Sequence, residues 1–447
     1  MVEKGEKILI SGGQIVDPSQ GINCVGDLLI EKGKIKSLAL EPEKIEKTEE
    51  DITKVINAKG MLVFPGLVDM HVHLREPGYE YKETIKTGTM AAVRGGFTSV
   101  CCMPNTKPVN DNETVTEFIL RKAFAEGACY VFPIGAITKG QKGEELSEMG
   151  MMYEAGCVAF SDDGHPVMNS LVMRRALEYT KAFDVPIITH AEDINLSANG
   201  VMNEGIVSHE LGLRGIPAEA EVIMIKRDIE LARLTGGRLH IAHVSTRGGV
   251  KAIREAKNSG LRVTAETCPH YFTLTDDAAR GYNTAAKVNP PLRTVEDLEA
   301  IKEALSDGTI DVIATDHAPH HIDEKNCEFD RAAFGISGLE TALSLSLNLV
   351  KEGVLSIDEL VEKMSLNPSR ILGLDKGTLK VGADADITVV DPEAQWKVEP
   401  DEFYSKGKNT PFKGFVLKGL TRVVICKGRI YDFTERQDTE QHRLILL

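Results

Sequence analysis

The stretch LVDMHVH, residues 67–73, decides the fold because it joins an apolar β-type run to two histidines at its carboxyl end. Seven further runs along the chain have a similar length, and most of the eight begin apolar and end polar. They are TSVCCMP (98–104), CYVFPIGA (129–136), CVAFSDD (157–163), PIITHAED (186–193), RLHIAHVS (238–245), RVTAETCPH (262–270) and DVIATDHAPH (311–320). Short apolar runs of this kind predict buried strands of a parallel sheet.

Longer stretches with helical character separate these runs. Examples are YKETIKTGTMAAVRGG (81–96) and LVMRRALEYTKAF (171–183). The alternation is typical of βα units around a parallel sheet. Eight units over about 250–300 residues are what a TIM barrel requires. An open, doubly wound sheet with the same number of strands is the alternative. We predict an α/β fold containing a TIM-type (β/α)8 barrel.

The two ends of the chain are rich in short β-type runs and tight turns. The N-terminal runs are ILISGGQIVD (8–17) and DLLIEKGKIKSL (27–38), and the C-terminal runs are ADITVVD (385–391) and RVVICKGRIYDF (422–433). The first and last share an apolar–Gly–apolar–Asp pattern, which suggests that both ends build one smaller β-rich domain. The predicted division is 1–64 for the N-terminal part of that domain, 65–373 for the barrel and 374–447 for the C-terminal part.

Composition narrows the class of protein. The chain has 447 residues, of which 42% are hydrophobic, and a formal charge of −15. Such an acidic chain is a poor partner for nucleic acid or anionic membranes, although solubility alone also explains the charge. The eight cysteines form no C-x-x-C pair, which favours a reducing compartment without disulfides.

The sequence predicts neither a membrane span nor a signal peptide. No apolar run approaches the ~18 residues of a membrane span. Residues Met1–Lys7 are charged and lack an apolar core, so no signal peptide is predicted. The Glu- and Lys-rich segment 40–53 is interpreted as a solvated loop or helix. We therefore expect a cytoplasmic protein.

Histidines stand at the carboxyl ends of several predicted strands, where barrel enzymes place their chemistry. His71 and His73 are two apart, so both imidazoles lie on the same side of a strand and can hold one ion. A chance pair is the alternative, but this pair ends an apolar strand. His190 and His243 each close a later strand, and together they favour a second ion over two structural histidines. Imidazole and carboxylate ligands suit zinc best, with manganese, cobalt or iron as alternatives.

Two strand ends add carboxylates to this rim. Asp162 and Asp163 are neighbours that point to opposite sides of a strand, so one is expected to bridge two cations and the other to cap or support. Asp316 follows the last strand, where it can contact a metal whose bound water has a pKa lowered toward ~7. The resulting hydroxide would attack an amide carbonyl, and Asp316 would pass the proton to the leaving nitrogen. Capping a helix is the alternative role for Asp316.

Ten stretches, in order along nearly the whole chain, resemble the motifs of class I dihydroorotases in the amidohydrolase superfamily. They are PGLVDMHVHLREPG (65–78), GGFTSVCCMPNTKP (95–108), FSDDG (160–164), THAED (189–193), HVST (243–246), NPPLR (289–293), ATDHAPH (314–320), FGISGLET (334–341), GTLKVGADADITVVD (377–391) and KGKNTPF (406–412).

The resemblance implies a role for each residue of a two-zinc site. The implied metal ligands are His71, His73 and Asp316 for the first ion, His190 and His243 for the second, and Asp163 bridging both. The implied substrate contacts are His73, Arg75, Asn105, Asn289, His320 and the backbone at Phe334 and Gly335. Arg75, Asn105 and His320 would hold a carboxylate, which a guanidinium binds through paired hydrogen bonds. Asp316 is the implied general acid and base.

The implied reaction is the reversible interconversion of N-carbamoyl-L-aspartate and (S)-dihydroorotate in pyrimidine synthesis. A homodimer is expected, and association with aspartate carbamoyltransferase is an open possibility. The segment HIDEKNCEFDRAAFG (321–335) is interpreted as a mobile loop over the site, with a rigid surface loop as the alternative. His165 has no assigned role and is expected on the rim.

Two rival functions remain. Hydantoinases and allantoinases share the histidine pattern but bridge their metals with a carboxylated lysine, whereas the fourth strand here ends in Asp162 and Asp163. Arg75 after the H-x-H pair also fits an acidic substrate. A non-catalytic homologue that supports a partner enzyme would be expected to lose metal ligands, and every ligand position here is filled. Activity that a chelator removes would separate an enzyme from such a homologue.

Overall fold

The computed structural model describes residues 7–43, 45, 52–434 and 445–446. The chain opens with five strands, which are β1 (Lys7–Asp17), β2 (Ile22–Glu31), β3 (Lys34–Leu40), β4 (Lys54–Asn57) and β5 (Leu62–Pro65). Strands β1, β2 and β3 form an antiparallel meander, while β4 and β5 run parallel to β1. The predicted runs 8–17 and 27–38 are therefore strands. Residues 1–6, 44 and 46–51 lie outside the described residues, and with them half of the segment 40–53.

Eight parallel strands follow, and each falls within one of the eight predicted runs or within one residue of it. They are β6 (Leu67–Val72), β7 (Phe97–Cys102), β8 (Tyr130–Gly135), β9 (Ala159–Ser161), β10 (Ile187–Thr189), β13 (Leu239–Ile241), β14 (Val263–Thr267) and β15 (Val312–Ile313), with the short pair β11 (Met202–Asn203) and β12 (Gly215–Ile216) lying between β10 and β13.

The eight strands neighbour each other in chain order, and the last returns to the first. A parallel bridge joins Val72 to His317, and the His73 N–H donates to the His317 carbonyl at 2.8 Å. Sequential order with a return contact defines a nearly closed barrel. The open, doubly wound alternative is thereby excluded, and the predicted (β/α)8 barrel is confirmed.

Helices surround the barrel. They are α1 (Ile85–Arg94), α2 (Glu113–Glu126), α3 (Met149–Ala155), α4 (Ser170–Thr180), α5 (Ile194–Ser197), α6 (Ile206–Leu211), α7 (Glu219–Thr235), α8 (Arg247–Asn258), α9 (Val295–Ser306), α10 (Ile322–Lys325), α11 (Leu339–Lys351), α12 (Ile357–Val361) and α13 (Asn367–Leu372). The predicted helical stretches 81–96 and 171–183 contain α1 and most of α4. Their N-termini are fixed by Thr84 and Asn169, whose side chains accept backbone N–H groups of the first turn.

The barrel interior is packed with apolar side chains. One buried cluster takes a residue from each of five successive strands, namely Met70, Cys101, Ile134, Ala159 and Ile188. A larger cluster joins the outer side of the strands to the helices. Because the interior below is filled, polar side chains at the carboxyl ends of the strands are left at the barrel mouth.

The last four strands complete the sheet that the N-terminus began. They are β16 (Ile387–Lys397), β17 (Val416–Cys426), β18 (Arg429–Asp432) and β19 (Ile445–Leu446). Strand β16 pairs antiparallel with β5, which gives the order β19-β18-β17-β16-β5-β1-β2-β3. The β-rich region is thus built from both chain ends. The boundaries at 64 and 373 stay a prediction. Within the described ranges, no helix has the length and apolar character of a membrane span.

Candidate active site

Asp163 lies at the centre of a buried cluster at the barrel mouth. Its Oδ1 atom is 3.3 Å from the Nε2 atoms of both His71 and His243 and 3.7 Å from Nδ1 of His190. Its Oδ2 atom is 3.3 Å from Nε2 of His73. Two triads result, each with ligand atoms within 4.8 Å of one another: His71, His73 and Asp163, and Asp163, His190 and His243.

Asp316 joins this cluster from the last strand. Its Oδ1 atom is 3.1 Å from Nε2 of His73 and 3.5 Å from Nε2 of His71. Burial raises the pKa of Asp316, but the His73 hydrogen bond and the nearby His71 outweigh burial and hold it below its usual value. Asp316 is therefore a carboxylate at neutral pH. All six residues predicted as metal ligands are brought together.

Asp162 faces away from the cluster. Its Oδ1 atom accepts the backbone N–H groups of Ile137 and Thr138 at 2.8 and 3.0 Å, and its Oδ2 atom accepts the Thr138 hydroxyl. It fixes the loop that follows β8. The opposite directions of the two neighbouring aspartates leave Asp163 alone to face both histidine pairs.

Outer partners orient three of the four histidines. The Nδ1 atom of His71 lies 2.5 Å from Oε1 of Glu266, and Nδ1 of His73 lies 2.9 Å from Oδ1 of Asn105. The Nε2 atom of His190 lies 3.1 Å from Oε2 of Glu192. An oxygen acceptor on the outer nitrogen requires a proton there. In a neutral ring the inner nitrogen then carries a lone pair that points at the cluster.

The donor set fits divalent cations. Three inner nitrogens with lone pairs converge with carboxylate oxygens, and among the described residues the buried Nε2 of His71 has no hydrogen-bond partner. Without a cation the site would attract protons. Burial lowers the pKa of His190, but Asp163 and Glu192 outweigh burial and raise it to about 10. Each inner histidine nitrogen binds a proton or a metal ion, but not both at once.

Arg75 and His320 form a polar wall beside the cluster. Arg75 is buried, its Nε atom donates to the Pro319 carbonyl at 3.2 Å, and its Nη2 atom is 3.3 Å from Nε2 of His320. The same His320 nitrogen lies 2.8 Å from the Phe334 carbonyl. Burial, with the charges of Arg75 and Lys82, lowers the pKa of His320 to about 3, so the ring is neutral and the guanidinium carries the positive charge.

The remaining predicted substrate residues are tied to the same site. Asn105 is bonded to His73, as described above, and the Asn289 amide donates to Glu192 at 2.9 Å. Gly335 takes a φ of 146° that favours glycine. Its N–H donates to the Lys287 carbonyl at 2.9 Å. A substrate contact with the Gly335 N–H would therefore have to share or displace that bond.

Three of the site residues have strained backbones. Arg75, His243 and Asp316 have φ angles of 63°, 35° and 46°, in the left-handed region that non-glycine residues rarely adopt. Each follows a barrel strand. Backbone strain of about 1–3 kcal/mol per residue persists only where the surrounding structure enforces it, and it concentrates at functional sites.

The segment 321–335, which we name the strap, is anchored by two buried lysines. Lys325 Nζ donates to the carbonyls of Ala333 at 2.7 Å and of Lys287 and Gly335 at 3.1 Å each. Lys287 Nζ donates to the carbonyls of Phe329 and Asp330 at 2.8 and 3.0 Å. Burial lowers the pKa of Lys325 to about 7. The sequence interpretation as a mobile loop missed these anchors, and mobility itself stays a prediction.

Sequence reasoning also missed the carboxylates behind the ligands. Glu266 lies in the run RVTAETCPH, where a charged residue within a buried strand was the available signal. Its Oε1 atom is the partner of His71 described above, and its Oε2 atom lies 3.3 Å from Nε2 of His240. No role was assigned to His240 from the sequence. Glu192 follows His190 by two residues in THAED. His165 is exposed and outside both triads, as expected for a rim residue.

Comparison with known proteins agrees with this geometry. The sequence model of the family described as dihydro-orotase-like matches residues 60–249, and that of the amidohydrolase family matches residues 242–431. A dihydroorotase of Geobacter metallireducens is 60% identical over 95% of this chain and 99% of its own. A dihydroorotase of Syntrophus aciditrophicus is 57% identical with the same coverage of each chain.

Solved structures give the same fold. The L-hydantoinase of Arthrobacter aurescens superposes with a TM-score of 0.85, at 26% identity and 97% coverage of both chains. A D-hydantoinase superposes with a TM-score of 0.82, at 25% identity and 95% coverage of both chains. The barrel and its histidine–aspartate mouth define an amidohydrolase, an enzyme that hydrolyses a cyclic amide. Within that class, the chain belongs to the dihydroorotase family.

Proposed function

We propose that the protein interconverts (S)-dihydroorotate and N-carbamoyl-L-aspartate in pyrimidine synthesis, with two zinc ions in the histidine–aspartate cluster. The observation that supports this most is the buried Arg75 beside the cluster. Among the described contacts its Nε atom donates to the Pro319 carbonyl, and its Nη2 atom lies 3.3 Å from the His320 ring. A buried guanidinium selects a substrate with a carboxylate next to the ring amide. The dihydroorotase family membership supports the same substrate.

The proposed metal ligands are the six residues of the cluster. His71, His73 and Asp316 would hold one ion, His190 and His243 the other, with Asp163 shared. When bound, divalent cations supply Lewis-acid polarisation of the amide carbonyl and activation of water at neutral pH. Glu266, Asn105 and Glu192 hold the ligand rings in the orientation that this site requires.

The proposed substrate residues surround the space next to the cluster. Arg75, Asn105 and His320 would bind the substrate carboxylate, while His73, Asn289 and the backbone at Phe334 and Gly335 would contact the ring. Holding the ring in one orientation places the reacting amide over the cluster, which converts a bimolecular encounter into a positioned reaction.

Asp316 is the proposed proton carrier. In ring opening, a C–O bond forms between water and the amide carbonyl, and the C–N bond of the ring breaks. Asp316 Oδ atoms would accept the proton that water loses and deliver it to the leaving nitrogen. Ring closure follows the same path in reverse.

The test is turnover by purified, zinc-loaded protein, with dihydroorotate, hydantoin and allantoin as parallel substrates. Fast opening of dihydroorotate, lost after chelation and restored by zinc, is the expected result. Preference for hydantoin or allantoin would instead assign another cyclic amide. Absence of turnover with metal bound would point to a protein that only supports a partner enzyme.

A hydantoinase is the second candidate because hydantoinases are among the structural neighbours. Two features weigh against it. The position shared by both histidine pairs is occupied by Asp163, where hydantoinases use a carboxylated lysine, and Arg75 provides a charge that uncharged hydantoin does not need.

Assembly and location are proposed on family resemblance. We infer a cytoplasmic homodimer, with association to aspartate carbamoyltransferase as a further possibility to test. Light scattering of the purified chain gives the oligomeric state, and co-migration with aspartate carbamoyltransferase on a sizing column tests the association.

A further inference from the structure

We propose that Asn409 is a positioning residue that holds one wall of the substrate pocket in place from outside the barrel. The proposal rests on the proposed function, since the pocket wall it holds is the one assigned to the substrate. Asn409 lies in the segment 405–410, here named the clasp, between β16 and β17. No role for it follows from the metal cluster, which the clasp does not contact in the described hydrogen bonds.

The Asn409 amide is buried and fully hydrogen-bonded. Its Oδ1 atom accepts the His320 N–H at 2.9 Å and the Ser337 hydroxyl at 3.0 Å. Its Nδ2 atom donates to the carbonyls of Ala318 at 3.1 Å and Gly335 at 2.9 Å. The two donors and two acceptors match the capacity of one side-chain amide.

These four partners belong to two separate barrel segments. Ala318 and His320 follow β15, while Gly335 ends the strap and Ser337 comes two residues after it. Both segments carry proposed substrate contacts, His320 on one and Phe334–Gly335 on the other. The two segments also meet directly, since the Ala318 N–H donates to the Ile336 carbonyl at 2.9 Å. The four bonds of the Asn409 amide add to this contact and hold both segments together as one wall. A positioning error of about 1 Å at such a wall is enough to cost substantial rate or affinity.

The clasp itself is locked in place. The buried Glu83 carboxylate accepts the Ser405 hydroxyl at 2.5 Å and the Lys406 N–H at 3.2 Å. The Ser337 hydroxyl shares its single proton between Asn409 Oδ1 and the Gly407 carbonyl, which lies 2.8 Å away. A Cβ atom at Gly407 would come within 2.5 Å of the Pro319 side chain, so only glycine allows this close approach. Asn409 thus starts from a fixed backbone.

The primary test is Asn409→Asp, which keeps the shape and both acceptors but places an oxygen against the carbonyls of Ala318 and Gly335. Carbonyl–carboxylate repulsion should displace this wall of the pocket. We expect the KM for dihydroorotate to rise about tenfold with kcat changed by less than about threefold, because the wall binds substrate and transition state alike. Bound zinc, measured by elemental analysis, should equal that of the parent.

The matched control is Asn367→Asp. Asn367 donates to the Asp311 carbonyl at 3.0 Å, at the opposite end of the barrel. The Asn367→Asp variant should lower the melting temperature by about as much as Asn409→Asp does, but it should leave the KM for dihydroorotate unchanged. An unchanged KM in Asn409→Asp, or an equal KM increase in both variants, would overturn the proposal and leave Asn409 a structural residue only.

A second measurement does not depend on turnover. Asn409→Ala removes the acceptor of the His320 N–H, so hydrogen exchange should speed up in peptides covering 318–320 and 333–337, and not in those covering the metal ligands. Unchanged exchange there would refute the positioning role even if the parent protein failed to open dihydroorotate. Failure of the parent with faster exchange in Asn409→Ala would refute the proposed function alone.

Discussion

The metal cluster and the substrate wall are neighbours at the barrel mouth, but they are built differently. The cluster uses side chains that end barrel strands, each held by one outer partner such as Glu266 behind His71. The wall uses backbone segments, held by long side chains and the Asn409 amide that arrive from elsewhere in the chain. The cluster is therefore set by the strands themselves, while the wall depends on contacts between distant residues.

The largest expected effect comes from breaking the cluster. Asp316→Asn keeps the size of the side chain but removes the proton acceptor, and general acid–base catalysis typically contributes ~10²–10⁴-fold. We expect kcat for dihydroorotate to fall by at least about 100-fold, measured by the absorbance change on ring opening. Elemental analysis of the variant shows whether metal loss contributes. A metal-loaded variant that retained more than about a tenth of the parent rate would contradict the assignment.

The second effect concerns metal affinity. Glu266→Gln weakens the acceptor that orients His71, and loss of such an outer partner typically lowers metal affinity ~10–100-fold. Competition with a coloured chelator measures the affinity directly, and the substrate KM of the reloaded enzyme should stay near the parent value. The control is Asp386→Asn, because Asp386 is a buried carboxylate that pairs with Lys376 next to the start of β16, away from the metal cluster. Equal zinc affinities in the parent and Glu266→Gln would show that Glu266 does not support metal binding through His71.

The third effect breaks the wall and spares the cluster. Lys325→Met removes the cation that two strap carbonyls, those of Ala333 and Gly335, share with the Lys287 carbonyl outside the strap. We therefore expect a KM increase of several-fold with bound zinc unchanged. Faster hydrogen exchange within 321–335 should accompany it. Lys363→Met is the control, because Lys363 is also buried but donates to the Ile310 carbonyl away from the mouth. Similar KM values in both lysine variants would mean that the strap needs no anchor.

The smallest effect concerns stability near the clasp. Burial raises the pKa of Glu340, whose carboxyl accepts the Ser405 N–H at 3.2 Å, to about 8. The folded state then binds more protons than the unfolded state between pH 4.5 and 8, so stability falls as pH rises through that window. Glu340→Gln should remove up to a few kcal/mol of this dependence, on the order of 1.4 kcal/mol for each pKa unit.

Urea unfolding of parent and Glu340→Gln at pH 5.5, 7 and 8.5 checks this prediction. As the pH rises, the unfolding free energy of Glu340→Gln should increase relative to that of the parent. Turnover at pH 7 should be unchanged. Parallel unfolding free energies across the three pH values would show that Glu340 does not titrate in this window.

The sequence predicted the barrel and the cluster better than the wall, for a physical reason. All eight strands and the meeting of His71, His73 and Asp316 follow from local runs whose polar ends must share one rim. Asn409 and Lys325 carry no such local signal. Their roles depend on side-chain bonds to backbone atoms up to 91 residues away in the sequence, which only the folded structure brings together.

The pairing of β5 with β16 has a consequence for synthesis on the ribosome. Strand β5 ends at Pro65, and its antiparallel partner begins at Ile387. At about 5–20 residues per second, the partner emerges on the order of 20–60 s later. Until then one edge of β5 has no strand to pair with, and an open apolar edge invites pairing with other chains. The nascent protein therefore depends on rapid closure of the barrel, or on chaperones, to protect its first strands while they wait.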